Sequence, residues 1–184
     1  MTTDAKPARP FAWSLLITAQ AGISIIAVTA TADMPTRLIW NVSESVPTGL
    51  YAVRDDGRLR PGVLAAVMPP EPLATWLVEG GYLGRGAPLL KRVEAMPGQR
   101  VCRIGTRITV DGELRAIARE TDRIGRPLPH WSGCNVVADG QLFLLNADHP
   151  GSLDGRYFGP LPRSSVLGRA VPLLVDEAPD HAAR

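Results

Sequence analysis

The chain has 184 residues, room for one compact domain and an appendage, and a net charge of only +2 from 20 basic and 18 acidic side chains. The basic residues are scattered among acids and form no stripe, which argues against a nucleic-acid partner. Seventeen prolines and 18 glycines beside three phenylalanines point to many turns and short elements, the composition of a strand-rich domain.

In chain order, residues 1–10 (MTTDAKPARP) read as a polar tail, and residues 11–32 (FAWSLLITAQAGISIIAVTATA) as one uncharged helical span. At about 1.5 Å per residue such a span covers roughly the 30 Å hydrocarbon core of a bilayer. Ser14, Thr18, Gln20, Ser24 and Thr29 dilute it without gathering on one face, which disfavours a buried soluble helix. A cleaved signal peptide competes, with Lys6 and Arg9 as its basic region and Ala30-Thr31-Ala32 as an A-x-A site. The run exceeds the roughly 7 to 15 apolar residues of a signal peptide, so an uncleaved anchor is preferred. Lys6 and Arg9 place the N-terminus in the cytoplasm. The expectation is a single-pass protein of a bacterial inner membrane, in contact with its lipid, with residues 33–176 in the periplasm and residues 177–184 as a disordered tail.

The exported part reads as mainly antiparallel β, because nothing alternates helix and strand as a parallel α/β fold would. Residues 50–53 and 63–68 form short strands around the turn DDGRLRPG. ATWLVEGGYL suggests a short helix ended by Gly80-Gly81. PLLKRVEAM, bounded by Pro88 and Pro97-Gly98, reads as a buried strand that carries one lysine. Residues 100–104 and 106–110 continue as strands, and Asp111-Gly112 turns toward LRAIA. Residues 119–135 read as a long loop, and QLFLLN and VLGRAVPLLV close the sheet system.

Cys102 and Cys134 suit an exported domain. As a disulfide they would close a loop of about thirty residues and contribute about 3–4 kcal/mol; two buried free thiols are the alternative. His130, His149 and His181 show no zinc-ligand spacing with them, so neither a metal nor another cofactor is expected.

Three short stretches can carry chemistry. Lys91 stands between apolar neighbours in LLKRV, where burial would strip the ammonium of its hydration and lower its pKa toward that of a general base. The alternative places Lys91 on a solvated face, with Arg92 buried or paired. Ser45 supplies a hydroxyl that a neighbouring base would activate, held by Pro47 and Gly49 in a bend at a sheet edge. Ser43, expected on the same side of an extended chain, could offer an oxyanion donor beside a backbone N–H. An ordinary Ser/Pro/Thr/Gly turn accounts for the same letters. In SLDGRYFGPLP, Asp154 and Arg156 are expected to pair along an extended strand, and Ser152 to hydrogen-bond the lysine amine; a surface salt bridge is the alternative.

SESVPTGLY, LLKRVEAMPGQRV and FLLNADHPGSLDGRYFGPLPRSSVLGRA, in this order behind an N-terminal span, resemble the type I signal peptidase family and, within it, the TraF-type conjugative-transfer signal peptidases. ARETDRIGRPLPHWSGC also resembles the conjugative branch. The resemblance covers the chain from the apolar span to about residue 174. It implies a Ser/Lys dyad with Ser45 as nucleophile and Lys91 as general base, Ser43 as the side-chain oxyanion donor, Ser152 orienting the lysine, and Asp154 and Arg156 in support. It also implies a mostly antiparallel β domain at the outer face of the membrane and an exported precursor, such as a conjugative pilin, as substrate. Leader cleavage is the expected reaction, with maturation or ring closure of the pilin by the same enzyme and association with a conjugation or secretion apparatus as further expectations. Val46 leads directly to Pro47, and Asn146-Ala147-Asp148 replaces the housekeeping enzymes' Gly-Asp-Asn, which favours a narrow substrate. One rival is a Ser/His/Asp hydrolase using Ser45, His149 and Asp148; another is a non-catalytic, membrane-anchored assembly factor.

Overall fold

The computed structural model describes residues 11–31 and 38–176, so the expectations for residues 1–10, 32–37 and 177–184 fall outside the described residues. The chain divides into two units, one holding the N-terminal helix and the other every strand. Helix α1 (Phe11–Thr31) carries no charged residue. Among the described residues no helix is long and apolar enough to cross a membrane. The anchor expected over residues 11–32 therefore rests on the sequence alone.

The second unit is mainly antiparallel β, as its composition suggests. Its larger sheet joins β1 (Leu38–Asn41), β2 (Gly49–Arg54), β3 (Leu64–Val67), β4 (Leu89–Ala95), β9 (Gln141–Leu144), β10 (Leu161–Pro162) and β11 (Val166–Val175) in the order β1-β2-β11-β3-β4-β9-β10. The smaller sheet joins β5 (Arg100–Ile104), β6 (Arg107–Val110), β7 (Glu113–Ile117) and β8 (Gly133–Val136) in the order β7-β6-β5-β8. Helix α2 (Leu73–Glu79) ends at Gly80, and α3 (Gly155–Phe158) is a single turn.

Strand β4 lies third from one edge, paired with β3 and β9, and both of its faces are covered. Leu90 packs with Ile39, Val46, Tyr51 and Ala66 on one side, whereas Val93 packs with Ala65, Val67 and Leu144 on the other. A third cluster, with Val101, Ile108, Val110, Phe143 and Tyr157 at its centre, joins the smaller sheet to β9 and α3. Burial of this much apolar surface is the main term holding a domain of this size together.

Three local expectations change, and one strand appears where none was expected. Residues 133–136 form strand β8 at the end of the stretch expected to be a loop. All four of its residues are exposed, so it has no apolar alternation to betray it. Strand β1 was also hidden, because it exposes Leu38 and Trp40 and buries Asn41, the reverse of ordinary patterning. Residues 155–158 are helical where an extended strand was expected, since the Asp154 carboxylate accepts the Arg156 N–H and caps the turn. Ser45 lies in a turn at residues 44–45 that Ser43 precedes, not on an extended segment.

Cys102 and Cys134 face each other across β5 and β8, with Cα atoms 4.0 Å apart, and are joined in a disulfide. It spans 32 residues of sequence, so it should contribute about 3–4 kcal/mol by restricting the unfolded chain. Unreduced protein should therefore react with no thiol reagent, and reduction should lower its urea midpoint. Two alkylatable thiols in native, unreduced protein would contradict this.

Candidate active site

The turn that carries Ser45 is built around Asn41, a buried amide at the end of β1. Its Nδ2 donates to the carbonyls of Ser43 at 2.8 Å, Val46 at 3.2 Å and Pro47 at 3.0 Å, while its Oδ1 accepts the Ser43 N–H at 3.0 Å. Tyr51 fastens the far side by donating from its hydroxyl to Pro47 O at 2.7 Å. Gly49 cannot carry a side chain: its φ is +130°, and a Cβ there would stand 2.2 Å from Leu174 O. The loop is thus clamped between β1 and β11. Inside it the Ser43 and Ser45 hydroxyls lie 3.0 Å apart, and Ser43 Oγ accepts the Ser45 N–H at 3.3 Å. Ser43 keeps its own proton to donate.

Lys91 is 5 % exposed, whereas Arg92 points outward, which removes the solvated-lysine alternative. Its Nζ donates to Ser152 Oγ at 2.8 Å, and Ser152 is 2 % exposed. Burial lowers the Lys91 pKa from 10.5 to about 8; the Asp154 carboxylate opposes that shift and the Arg156 guanidinium adds to it. The amine is therefore neutral in about a tenth of molecules at pH 7, against less than about a thousandth for an ordinary lysine.

The segment that holds Ser152 is fixed by a buried ion pair. Arg156 Nε donates to Asp154 Oδ1 at 2.8 Å and Nη2 to Oδ2 at 3.1 Å, with both side chains almost wholly buried. Two further donors are used: Nη2 reaches Asn146 O at 2.8 Å and Nη1 reaches Pro150 O at 3.3 Å. A surface salt bridge is excluded here. Arg103, on the disulfide strand β5, donates to Arg156 O at 2.7 Å and so ties the smaller sheet to this segment.

Asn146, noted in the sequence only as a replacement, links the two halves. Its Nδ2 donates to Leu90 O at 3.1 Å and its Oδ1 accepts the Arg92 N–H at 3.0 Å, so it grips the chain on both sides of Lys91. Its own N–H donates to Asp154 Oδ2 at 3.0 Å. Asn41 and Asn146 are the residues that sequence reasoning missed; the available signal was a lone amide directly following an apolar run in LIWN and in LFLLN. Asn146→Ala should leave two buried backbone groups unpaired, at about 1–3 kcal/mol each. Chemical denaturation measures that loss, and an unchanged midpoint would show that Asn146 is dispensable.

Ser43, Ser45, Lys91 and Ser152 line one cleft of about 590 Å³. Ile39, Leu83 and Pro88 supply part of its apolar wall. No hydrogen bond joins Ser45 to Lys91 among the described residues; the Ser45 hydroxyl is engaged with Ser43 and the Lys91 amine with Ser152. His149 also lines the cleft, with its Nδ1 buried and unpartnered and its pKa lowered, first by burial and then by Lys91. Asp148 lines a different recess with Arg92 and Glu94, so the His149–Asp148 relay of a Ser/His/Asp hydrolase is not assembled.

The family described as signal peptidase, peptidase S26, matches residues 11–174. The chain belongs to that signal peptidase family. A conjugal transfer protein TraF of Agrobacterium fabrum (strain C58 / ATCC 33970) is 41 % identical over 146 residues, covering 73 % of this chain and 80 % of that protein. Another of that name, from Agrobacterium tumefaciens (strain 15955), is 36 % identical over 172 residues, covering 88 % of this chain and 95 % of its own. A solved signal peptidase I of Enterococcus faecalis V583 is similar at a TM-score of 0.36 and 19 % identity, covering 61 % of this chain and 96 % of that one, a likeness too slight to support an argument. For this signal peptidase family member, three blocks far apart in sequence thus contribute to one cleft: residues 39–45, residues 87–91, and His149 with residues 151–153.

Proposed function

We propose that the protein is a membrane-anchored serine endopeptidase with a Ser45/Lys91 dyad, cleaving the leader from an exported precursor, a conjugative pilin being the favoured substrate. The observation that carries this reading is the buried Lys91 amine, held at 2.8 Å by Ser152 in the same cleft as Ser45. Ser152 takes one N–H of the neutral amine, which leaves the nitrogen lone pair free to accept a proton. In the proposed reaction Ser45 turns from Ser43 toward Lys91 and gives up its proton as its oxygen attacks the scissile carbonyl. Ser43 then donates its hydroxyl to the oxyanion, and Lys91 passes the proton to the departing amine. The acyl-enzyme is released by water or, where the precursor's own amine reaches it, by formation of a new peptide bond.

Apolar side chains near the serine turn support placement at a bilayer surface. Trp40, paired with Leu50, and Leu174, paired with the same residue, lie in one cross-strand row and are 64 % and 70 % exposed. With the uncharged α1 they favour a periplasmic domain against the inner membrane. The relatives named for conjugal transfer favour a conjugation apparatus as the setting. Mass spectrometry of a pilin precursor co-expressed with the protein, or with Ser45→Ala, tests the reading. Loss of the leader only with intact Ser45 is expected. A precursor left whole by both proteins would revive the non-catalytic assembly factor.

A further inference from the structure

The cleft of Ser45 and Lys91 continues past Gly151 into a second recess of about 300 Å³, the two sharing Tyr82, Arg123, Gly151 and Leu153 in their walls. The outer wall of the recess is a hairpin over residues 120–128, closed by the Leu128 N–H donating to Glu120 O at 2.9 Å. Asp122 fixes its tip: one carboxylate oxygen accepts the N–H groups of Ile124 at 3.0 Å and Arg126 at 2.9 Å. The other accepts the Arg126 guanidinium at 2.6 Å and the Tyr82 hydroxyl at 2.7 Å. Arg126 also lies 4.6 Å over the Tyr82 ring and donates to Gly80 O at 2.9 Å, which fastens the hairpin to the end of α2.

That arrangement consumes the charge of Asp122 and Arg126 and leaves two guanidinium groups over. Arg119 and Arg123 line the recess, and neither has an ion pair or a side-chain hydrogen bond among the described residues. Three arginines against one aspartate give the lining a surplus of two positive charges (3 − 1). Glu120 is exposed and lines neither pocket, and Glu44 lines only the cleft. Arg123 Nη2 comes within 3.9 Å of where a Cβ on Gly151 would stand, one residue from the Ser152 that holds Lys91. Leu128, Leu153 and Tyr157 form an apolar floor, which strengthens a charge contact made above it.

We propose that Arg119 and Arg123 form a carboxylate subsite, which takes an acidic side chain or a free C-terminal carboxylate of the peptide lying across Ser45. The recess admits a side chain or a chain end, and a folded partner does not fit it. This inference rests on the peptidase reading for the presence of a peptide in the cleft, so its test separates the two. Binding is measured by fluorescence polarisation with the full-length Ser45→Ala protein, whose result does not depend on turnover. The probe is a short Ala-Gly-Ser peptide carrying one glutamate walked through every position, each compared with its glutamine counterpart. A second arm compares a free with an amidated C-terminus.

Glutamate at one register, or the free carboxylate, should tighten binding about tenfold. Arg119→Glu/Arg123→Glu, added to Ser45→Ala, should abolish that preference and leave the glutamine and amidated peptides unchanged. Both side chains are exposed and neither has an ion pair or side-chain hydrogen bond among the described residues, so the fold should persist. Equal binding of charged and neutral peptides at every position and at both termini overturns the subsite, whether all bind or none does. So does a double variant that weakens charged and neutral peptides alike. Cleavage by protein with intact Ser45 but no charge preference would sink the subsite alone; a charge preference without cleavage would sink the peptidase alone.

Discussion

Lys91→Arg should be as inactive as Lys91→Ala, on the order of 10⁴- to 10⁶-fold below the protein with Lys91 intact. Arginine keeps the charge and much of the bulk, but it does not deprotonate in proteins, so it offers no lone pair to Ser45. Ser45→Ala should fall as far while still binding precursor, because only the attacking atom is gone. Ser43→Ala should lose roughly 10²- to 10³-fold, the usual cost of one oxyanion donor. His149→Ala should keep much of the activity, since Asp148 lies in a separate recess and cannot orient that imidazole. Precursor cleavage followed by mass spectrometry measures all five. An active Lys91→Arg protein would reject the mechanism even if Ser45 proved essential.

Asp154→Ala should cost about 3–5 kcal/mol of stability, the largest loss expected of any single change outside the apolar clusters. Removing the carboxylate leaves the Arg156 guanidinium charged and buried at 1 % exposure without its counter-ion. It also frees the N–H groups of Asn146 and Arg156, which both donate to Asp154. Arg156→Ala should cost a similar amount by the mirror argument. The double change Asp154→Ala/Arg156→Ala should cost less than the sum of the two, because the charge stranded by either alone is then absent. Urea denaturation of the four proteins gives the coupling directly. Single losses below about 1 kcal/mol would mean that water reaches the pair.

Much of this was legible in the sequence. Regular alternation and turn residues located most strands of the larger sheet, and the Asp111-Gly112 hairpin is where the letters place it, with φ of 49° at Asp111 and 89° at Gly112. Lys91 stood out because an ammonium inside LLKRV conflicts with its neighbours, but the sequence left its direction open. The reason is physical: β4 is covered on both faces, so Leu90 and Lys91 are both buried and period-two patterning says nothing about which face is solvated. Asn41 and Asn146 were passed over because each acts by hydrogen-bonding main-chain atoms brought near by folding, a task with no spacing signature. Strand β1 hid for the opposite reason, since it shows its apolar residues to the surface and buries its amide. The carboxylate of Asp154 was expected to pair, but a cap on a single helical turn depends on backbone angles that LDGR does not announce.

The dyad is tested most directly by the pH dependence of kcat/KM for precursor cleavage, followed from below the ordinary histidine pKa of about 6.5 to above the ordinary lysine pKa of about 10.4. Lys91 accepts the Ser45 proton only when neutral, and burial holds its pKa at about 8. Below that value the protonated fraction grows, so the rate should fall about tenfold per pH unit; above it the rate should level off. One acid limb with an apparent pKa near 8 is therefore expected. An acid limb near 6.5 that vanishes in His149→Ala, or a rate still rising at the ordinary lysine pKa, would contradict it.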